Sequence, residues 1–162
     1  GVLILIEIIN IILKKYNNVE FGVYGDGPMK YKLKNEFSKN PKVAIEKFSS
    51  VDSLAVHSNY DIALVPTIGS EGTSFSLLEA MGSGCACVCS NVGGMTNIII
   101  DNYNGFLVNP DANSFCKKIE LLINDKRLIN DIRKNAYTTI KQGFSKKIWQ
   151  KKWLDTISAL QH

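Results

Sequence analysis

The sequence predicts an α/β domain in which a Rossmann-like parallel sheet is flanked by helices. Three observations carry that expectation. Short apolar runs alternate with longer amphipathic stretches along the whole chain, as strands covered by helices do. One run, Ile62-Ala63-Leu64-Val65, is apolar without alternation, as in a strand buried on both faces. Glycines and prolines punctuate the segment ends at Gly25-Asp26-Gly27-Pro28, Gly82, Gly84 and Gly93-Gly94. The length of 162 residues suits one domain, and 45% apolar with 21% charged residues suits a folded globule.

The elements follow in order. Val2 to Leu13 is the most apolar stretch, interrupted by Glu7 and Asn10, and it falls short of the ~20 residues of a membrane span. It lacks the basic start and small-residue cleavage site of a signal peptide. It reads as a buried helix, though its isoleucines would also suit a strand. Val19 to Tyr24 reads as a strand. Pro28 then suits a first helical position, and Met29, Leu33 and Phe37 continue at helical spacing. Val43 to Ile45 is a short strand, and Val51 to His57 a small helix. Beyond Ile62 to Val65, a loop from Pro66 to Gly72 leads into a helix from about Ser74 to Met81, closed by Gly82 and Gly84.

Cys85 to Cys89 reads as the next strand and Asn91 to Gly94 as a turn. Thr96 to Ile100 reads as one or two helical turns, and Gly105 to Val108 as a last short strand. Asn109-Pro110-Asp111 opens a helix with Phe115, Ile119 and Leu122 on one face. Another helix carries Leu128, Ile132, Ala136 and Ile140. The final helix, about residues 144–161, carries Trp149, Trp153, Ile157 and Leu160 as a tail on a single domain spanning residues 1–162. Tryptophans spaced i, i+4 are more often core than surface.

The net charge is +4, spread thinly, and no block of like charges marks a nucleic-acid tail. A mild positive balance suits anionic small molecules or an acidic membrane surface. Cys85, Cys87 and Cys89 alternate along one strand and so share a face. Neither they nor Cys116 have partners at metal-finger spacing, so they read as small buried residues of a reducing compartment.

The informative segment is Glu71-Gly72-Thr73-Ser74-Phe75-Ser76-Leu77-Leu78-Glu79-Ala80-Met81. The N–H groups of Ser74, Phe75 and Ser76 fall at a helix start, where they have no partner inside the helix. The macrodipole adds about half a positive charge there, so the position suits a phosphate. Glu71 lies before it and Glu79 beyond it. A carboxylate is acceptor-only and can hold a pair of vicinal hydroxyls. A sugar nucleotide offers hydroxyls on both sides of its diphosphate: the sugar's on one, the ribose's on the other. The bland alternative is a loop charge and a solvated helix face.

With these pieces in place, the chain resembles glycosyltransferase family 4, retaining enzymes of the GT-B fold. The resemblance rests on Gly25-Asp26-Gly27-Pro28, Asp61 to Pro66, Glu71 to Gly84, Gly93-Gly94, Asn104-Gly105 and Asn109-Pro110-Asp111, taken in order. It implies the C-terminal, donor-binding half of that fold. Glu71 would bind hydroxyls of the transferred sugar and act as the catalytic residue. Gly72, Thr73, Ser74, Phe75 and Ser76 would line the diphosphate, and Glu79 would hold the ribose. Phe48 and Ser50, in the loop after the Val43 strand, would lie against the base. The substrate would be a nucleotide-diphosphate sugar, with no cofactor or metal.

Three departures stand out. Thr73-Ser74 replaces a common Phe-Gly, and Ser74 in the glycine's place narrows the approach of backbone to phosphate. Asn97 stands where a glutamate is common, and Ala86 where a proline is common. The family's first strand, and a following loop with an Arg and a Lys, would precede Gly1. Those cations stabilise the leaving diphosphate. The isolated chain is therefore expected to be inactive, its acceptor domain lying outside these residues.

The resemblance further implies a cytoplasmic enzyme, contact of the full-length protein with the inner face of a membrane, and a last helix that returns toward the other domain, where Trp149 and Trp153 would pack; the charge pattern implies no nucleic acid. Two other functions stay open at this stage: a sugar-nucleotide epimerase of the same fold, and a non-catalytic nucleotide-binding module. An NAD fingerprint at Gly25-Asp26-Gly27 is disfavoured because Lys30 occupies the third glycine's place.

Overall fold

The computed structural model describes residues 1–47, 52–69 and 71–160. Helix α1 (Val2–Lys15) settles the ambiguity of the isoleucine-rich start. Lys14 and Lys15 occupy its last turn, where cations complement the macrodipole. Ile8, Ile9 and Ile12 are fully buried, while Leu3 on the other side is exposed. Strand β1 (Phe21–Tyr24) pairs in parallel with β2 (Val43–Glu46), and helix α2 (Lys30–Phe37) makes the crossover. Helix α3 (Ser53–His57) leads into β3 (Ile62–Val65), and helix α4 (Phe75–Gly82) into β4 (Ala86–Ser90). A 3-10 turn, Gly93–Asn97, precedes β5 (Phe106–Val108). The chain closes with α5 (Ala112–Asn124), α6 (Lys126–Thr139), a π-helical segment Ile140–Phe144 and α7 (Lys146–Ala159).

The parallel α/β class is as predicted, but the single sheet is not. The strands form two sheets, β1-β2 and β3-β4-β5. Side chains join them where a ladder would. A Cβ on Gly22 of β1 would meet the Tyr60 hydroxyl at 2.0 Å, so the ring of Tyr60 lies on that strand. The hydroxyls of Tyr24 and Tyr60 share a 2.9 Å hydrogen bond. Burial pushes the Tyr60 hydroxyl well above its usual pKa.

Other expectations shift as well. The helical turn expected at Thr96 to Ile100 forms earlier, at Gly93–Asn97, because the two glycines enter it. Gly105 falls outside β5 and makes only an isolated bridge to Asp101. The start of the small helix, expected at Val51, lies outside the described residues. Trp149 and Trp153 are not core. They are 60% and 54% exposed and pack edge to face on each other, with ring centroids 6.1 Å apart.

The core is organised by β4, every residue of which is buried. Ala86 and Val88 face a cluster with Ile8 and Ile12 of α1, Phe106 of β5, and Phe115 and Ile119 of α5. Cys87 and Cys89 face the other way, with Leu77, Ala80 and Met81 of α4, Met95 and Ala136. The alternation follows from the strand's period of two. A third cluster, Ile9, Leu33, Phe37 and Val43, seats α2 and β2 on α1.

Two polar ties hold the rim. Arg133 of α6 donates through Nε to the Gly84 carbonyl at 2.6 Å and pairs with Asp61 at 2.7 Å. Buried Asn104 accepts from the Ile100 N–H at 2.8 Å. It donates to the Ile98 carbonyl at 3.2 Å and to Thr139 Oγ1 at 3.1 Å.

Asn104→Ala leaves these buried groups unpaired, so chemical denaturation should show a loss of about 1–3 kcal/mol. All four cysteines are free and buried. Burial raises the Cys85 and Cys116 thiols to about 11 and the Cys89 thiol to about 12, and holds Cys87 well above its usual range. Their folded pKa values are raised. The stability they contribute is thus full below the unfolded value of about 8.5 and declines as pH climbs toward the folded values. Denaturation midpoints should fall steadily between about pH 9 and 11, and a thiol reagent at pH 8 should react only after unfolding. Rapid labelling of the native protein would contradict this packing.

Candidate functional site

In a parallel sheet, ligands gather beyond the carboxyl ends of the strands. Here β3 and β4 end side by side, with Val65 in register with Cys89. The loop after β3 carries Pro66 to Gly72 into α4, and the turn after β4 carries Gly93-Gly94. Both loops therefore emerge at the same rim.

Helix α4 begins one residue later than expected, with Ser74 as its N-cap at φ −73°, ψ 105°. Serine suits that position because its hydroxyl accepts from a first-turn N–H. Here Ser74 Oγ accepts from Leu77 N–H at 3.4 Å and lies 3.3 Å from Ser76 Oγ. The N–H groups of Ser74, Phe75 and Ser76 donate to no group among the described residues. Ser74 is buried, whereas Phe75 and Ser76 are exposed, Phe75 at 75%. At its other end α4 stops at Gly84, whose φ of +83° is the left-handed conformation that glycine adopts without strain.

Glu71 and Glu79 are both half-buried. Thr67 Oγ1 donates to Glu71 Oε2 at 3.4 Å, which ties the carboxylate back to its own loop. The carbonyl of Glu71 accepts from Gly94 N–H at 2.9 Å. Glu79 lies one turn into α4, on the face shared by Phe75 and Ser76 at i−4 and i−3. Gly72 and Thr73 form the exposed link between Glu71 and the cap. Phe48 and Ser50, expected against a base, lie outside the described residues.

Three features were not legible in the sequence. His57 of α3 is near enough to Glu79 for that carboxylate to raise its pKa, although burial is the larger effect and lowers it. Nothing in the spacing of His57 marks that approach, and on sequence it reads as a surface or packing residue. The Thr67–Glu71 bond has no motif. The contact of Gly94 with the Glu71 carbonyl joins segments more than twenty residues apart.

A cavity of about 610 Å³ lies beside this rim. Its walls come from the start of α1, from Val23 to Lys30, and from Pro66 to Gly69. The residues from Glu71 to Glu79 do not line it. Asp26, in its wall, pairs with Lys47 at 2.7 Å and Lys30 at 3.8 Å, and the Lys47 ammonium chiefly holds its carboxyl below the usual range.

Comparison with known proteins agrees with this architecture. The C-terminal domain of a glycosyl transferase group 1 family protein from Francisella tularensis superposes with a TM-score of 0.80. It is 27% identical, and the match covers 90% of this chain and 80% of that one. A variant of TarM from Staphylococcus aureus, solved in complex with UDP among other ligands, matches with a TM-score of 0.81 at 25% identity, over 95% of this chain and 32% of that one. By sequence, the poly(ribitol-phosphate) alpha-N-acetylglucosaminyltransferase of Staphylococcus aureus is 29% identical over 96% of this chain. The match spans about a third, 32%, of that relative's length. Residues 1–125 match the family described as glycosyl transferases group 1, and the chain belongs to that family.

Proposed function

We propose that this domain binds the nucleotide-sugar donor of a retaining, family 4 glycosyltransferase that passes a hexose-like sugar to a glycan or lipid-linked acceptor. The observation that carries the reading is the start of α4. N–H groups with no partner among the described residues sit there at the carboxyl end of the sheet, with one glutamate before the cap and one a turn beyond it. In this reading the diphosphate lies on the helix start, where aligned N–H groups and the macrodipole favour negative charge. Gly72 and Thr73 leave its approach open, and Ser74, Phe75 and Ser76 supply the donors. Glu79 accepts from the two ribose hydroxyls. Glu71 accepts from hydroxyls of the sugar and holds its anomeric carbon for attack, Thr67 limiting the carboxylate's freedom.

The family relative solved with UDP supports the nucleotide assignment by similarity. The acceptor is assigned to a part of a longer protein, since the chain spans only a third of its curated relative. Cations for the leaving diphosphate are assigned to that part as well, and without them the 162-residue chain binds nucleotide but transfers no sugar. No helix among the described residues is long and apolar enough to cross a membrane. In this reading, which follows the family resemblance, the reaction runs in the cytoplasm, with contact to the inner membrane face where the acceptor is a lipid.

Calorimetry with UDP, GDP and ADP tests the binding reading. One of the three should bind, and Glu79→Gln should weaken it about 10- to 150-fold, the range of a hydrogen bond to a charged group. Equal affinity in the variant would remove Glu79 from the site. In a full-length enzyme containing this domain, Glu71→Ala should lower kcat on the order of 10²–10³-fold, with nucleotide affinity little changed. A variant that transfers sugar at the normal rate would refute the role given to Glu71.

A further inference from the structure

We infer that the Gly93-Gly94 turn is a positioning element for the phosphate-binding loop, setting where the N–H groups of residues 72–76 point without touching the ligand. The inference rests on the donor-binding reading and adds residues which that reading does not use.

The turn and the loop meet backbone to backbone. Gly94 N–H donates to the Glu71 carbonyl at 2.9 Å. A Cβ on Gly94 would lie 2.1 Å from the Gly72 carbonyl oxygen, 2.7 Å from its carbon and 3.2 Å from Thr73 N. A Cβ on Gly93 would lie 2.1 Å from the Glu71 carbonyl oxygen. Gly93 also has φ +52°, a left-handed conformation that costs other residues free energy. No flexible side chain lies at either contact to give way, so a single methyl must move the loop itself.

The turn is a firm platform on its other side. Met95 is fully buried, and Ile98 and Ile99 nearly so. Thr96 Oγ1 donates to the Gly93 carbonyl at 3.0 Å. Asn91 N–H donates to the Val108 carbonyl at 2.7 Å, which fixes the approach from β4 to the edge of β5. Gly93 and Thr96 of the turn are exposed, but the turn is anchored by buried Met95, whereas the loop has no buried residue from Glu71 to Thr73. A rigid turn against an exposed loop means that the turn dictates and the loop follows. Only the short stretch from Gly72 to Ser74 separates the contact from the cap of α4, so a displacement there reorients the donors offered to a diphosphate. Misplacement of about 1 Å is enough to cost large factors at such sites.

The test takes whichever of UDP, GDP and ADP binds and, for UDP, compares it with uridine, which lacks the diphosphate, by nuclear magnetic resonance titration of the whole chain. The ratio of the two affinities isolates the phosphate contribution. Gly94→Ala should lower that ratio about tenfold or more, the loss of one charge-assisted hydrogen bond, while leaving uridine affinity unchanged. Gly143→Ala, where a Cβ would meet no atom within 4 Å, should leave the ratio alone. An unchanged ratio in Gly94→Ala overturns the inference. So does an equal loss of both ligands, which would mark a general weakening of the fold. A wild-type chain that prefers none of UDP, GDP and ADP to the matching nucleoside would instead sink the donor-binding reading, and the inference with it. Should Gly94→Ala fail to fold, amide exchange in the wild type decides. The Gly94 N–H should be protected, and its resonance should move with UDP and not with uridine. Free exchange at Gly94 overturns the proposal.

Discussion

Burial of β4 on both faces is the constraint from which the domain is built. A strand with parallel neighbours on each edge and helices above and below has no route to water. Every side chain on it must therefore be small or apolar, as Ala86, Cys87, Val88 and Cys89 are. Alternation along the strand then separates two cores. One binds α1 and α5, and the other binds α4 and the turn that carries Met95. Neither layer can slide without opening a cavity in its own core, and such voids are costly.

The site inherits its geometry from that arrangement. With α4 clamped to β4 through Leu77, Ala80 and Met81, its N-terminus is delivered to the rim beyond β3. The favourable electrostatics follow from the backbone itself, because the partial charge resides in its N–H groups. Glu71 and Glu79 then stand before and beyond that charge on one continuous segment, one held by its loop and the other by its helix. The glycines behind the loop permit an approach of two backbones that any side chain would prevent. Shape at this rim is thus set by residues with the least side chain, and the proposed recognition runs through the main chain.

Much of this was legible in order along the chain. The continuous run Ile62 to Val65 announced a buried parallel strand. The glycines after Met81 announced the end of α4, since a helix stops where left-handed backbone is cheap. Glu71 and Glu79, spaced around a helix start, pointed to the segment on which the proposed function rests. Other features were illegible for a common reason. The division into two sheets depends on Tyr60 lying against Gly22, a contact between residues far apart in sequence. The exposure of Trp149 and Trp153 depends on what α7 meets, and the i, i+4 spacing is the same whether that is a core or water. The turn at Gly93 began early because glycine permits a left-handed entry that an apolar pattern does not encode.

Local chemistry is contained in the sequence. Apolar periodicity, capping residues and breakers act over a few residues, so they determined the succession of helices and strands, the parallel α/β class and the segment bearing the two acids. Only the tertiary structure decided which segments share a rim. It brought Gly94 to Glu71, His57 toward Glu79 and Tyr60 across to β1. These are contacts between surfaces that exist only after the helices have packed on β4, and no pattern confined to one stretch of chain specifies them.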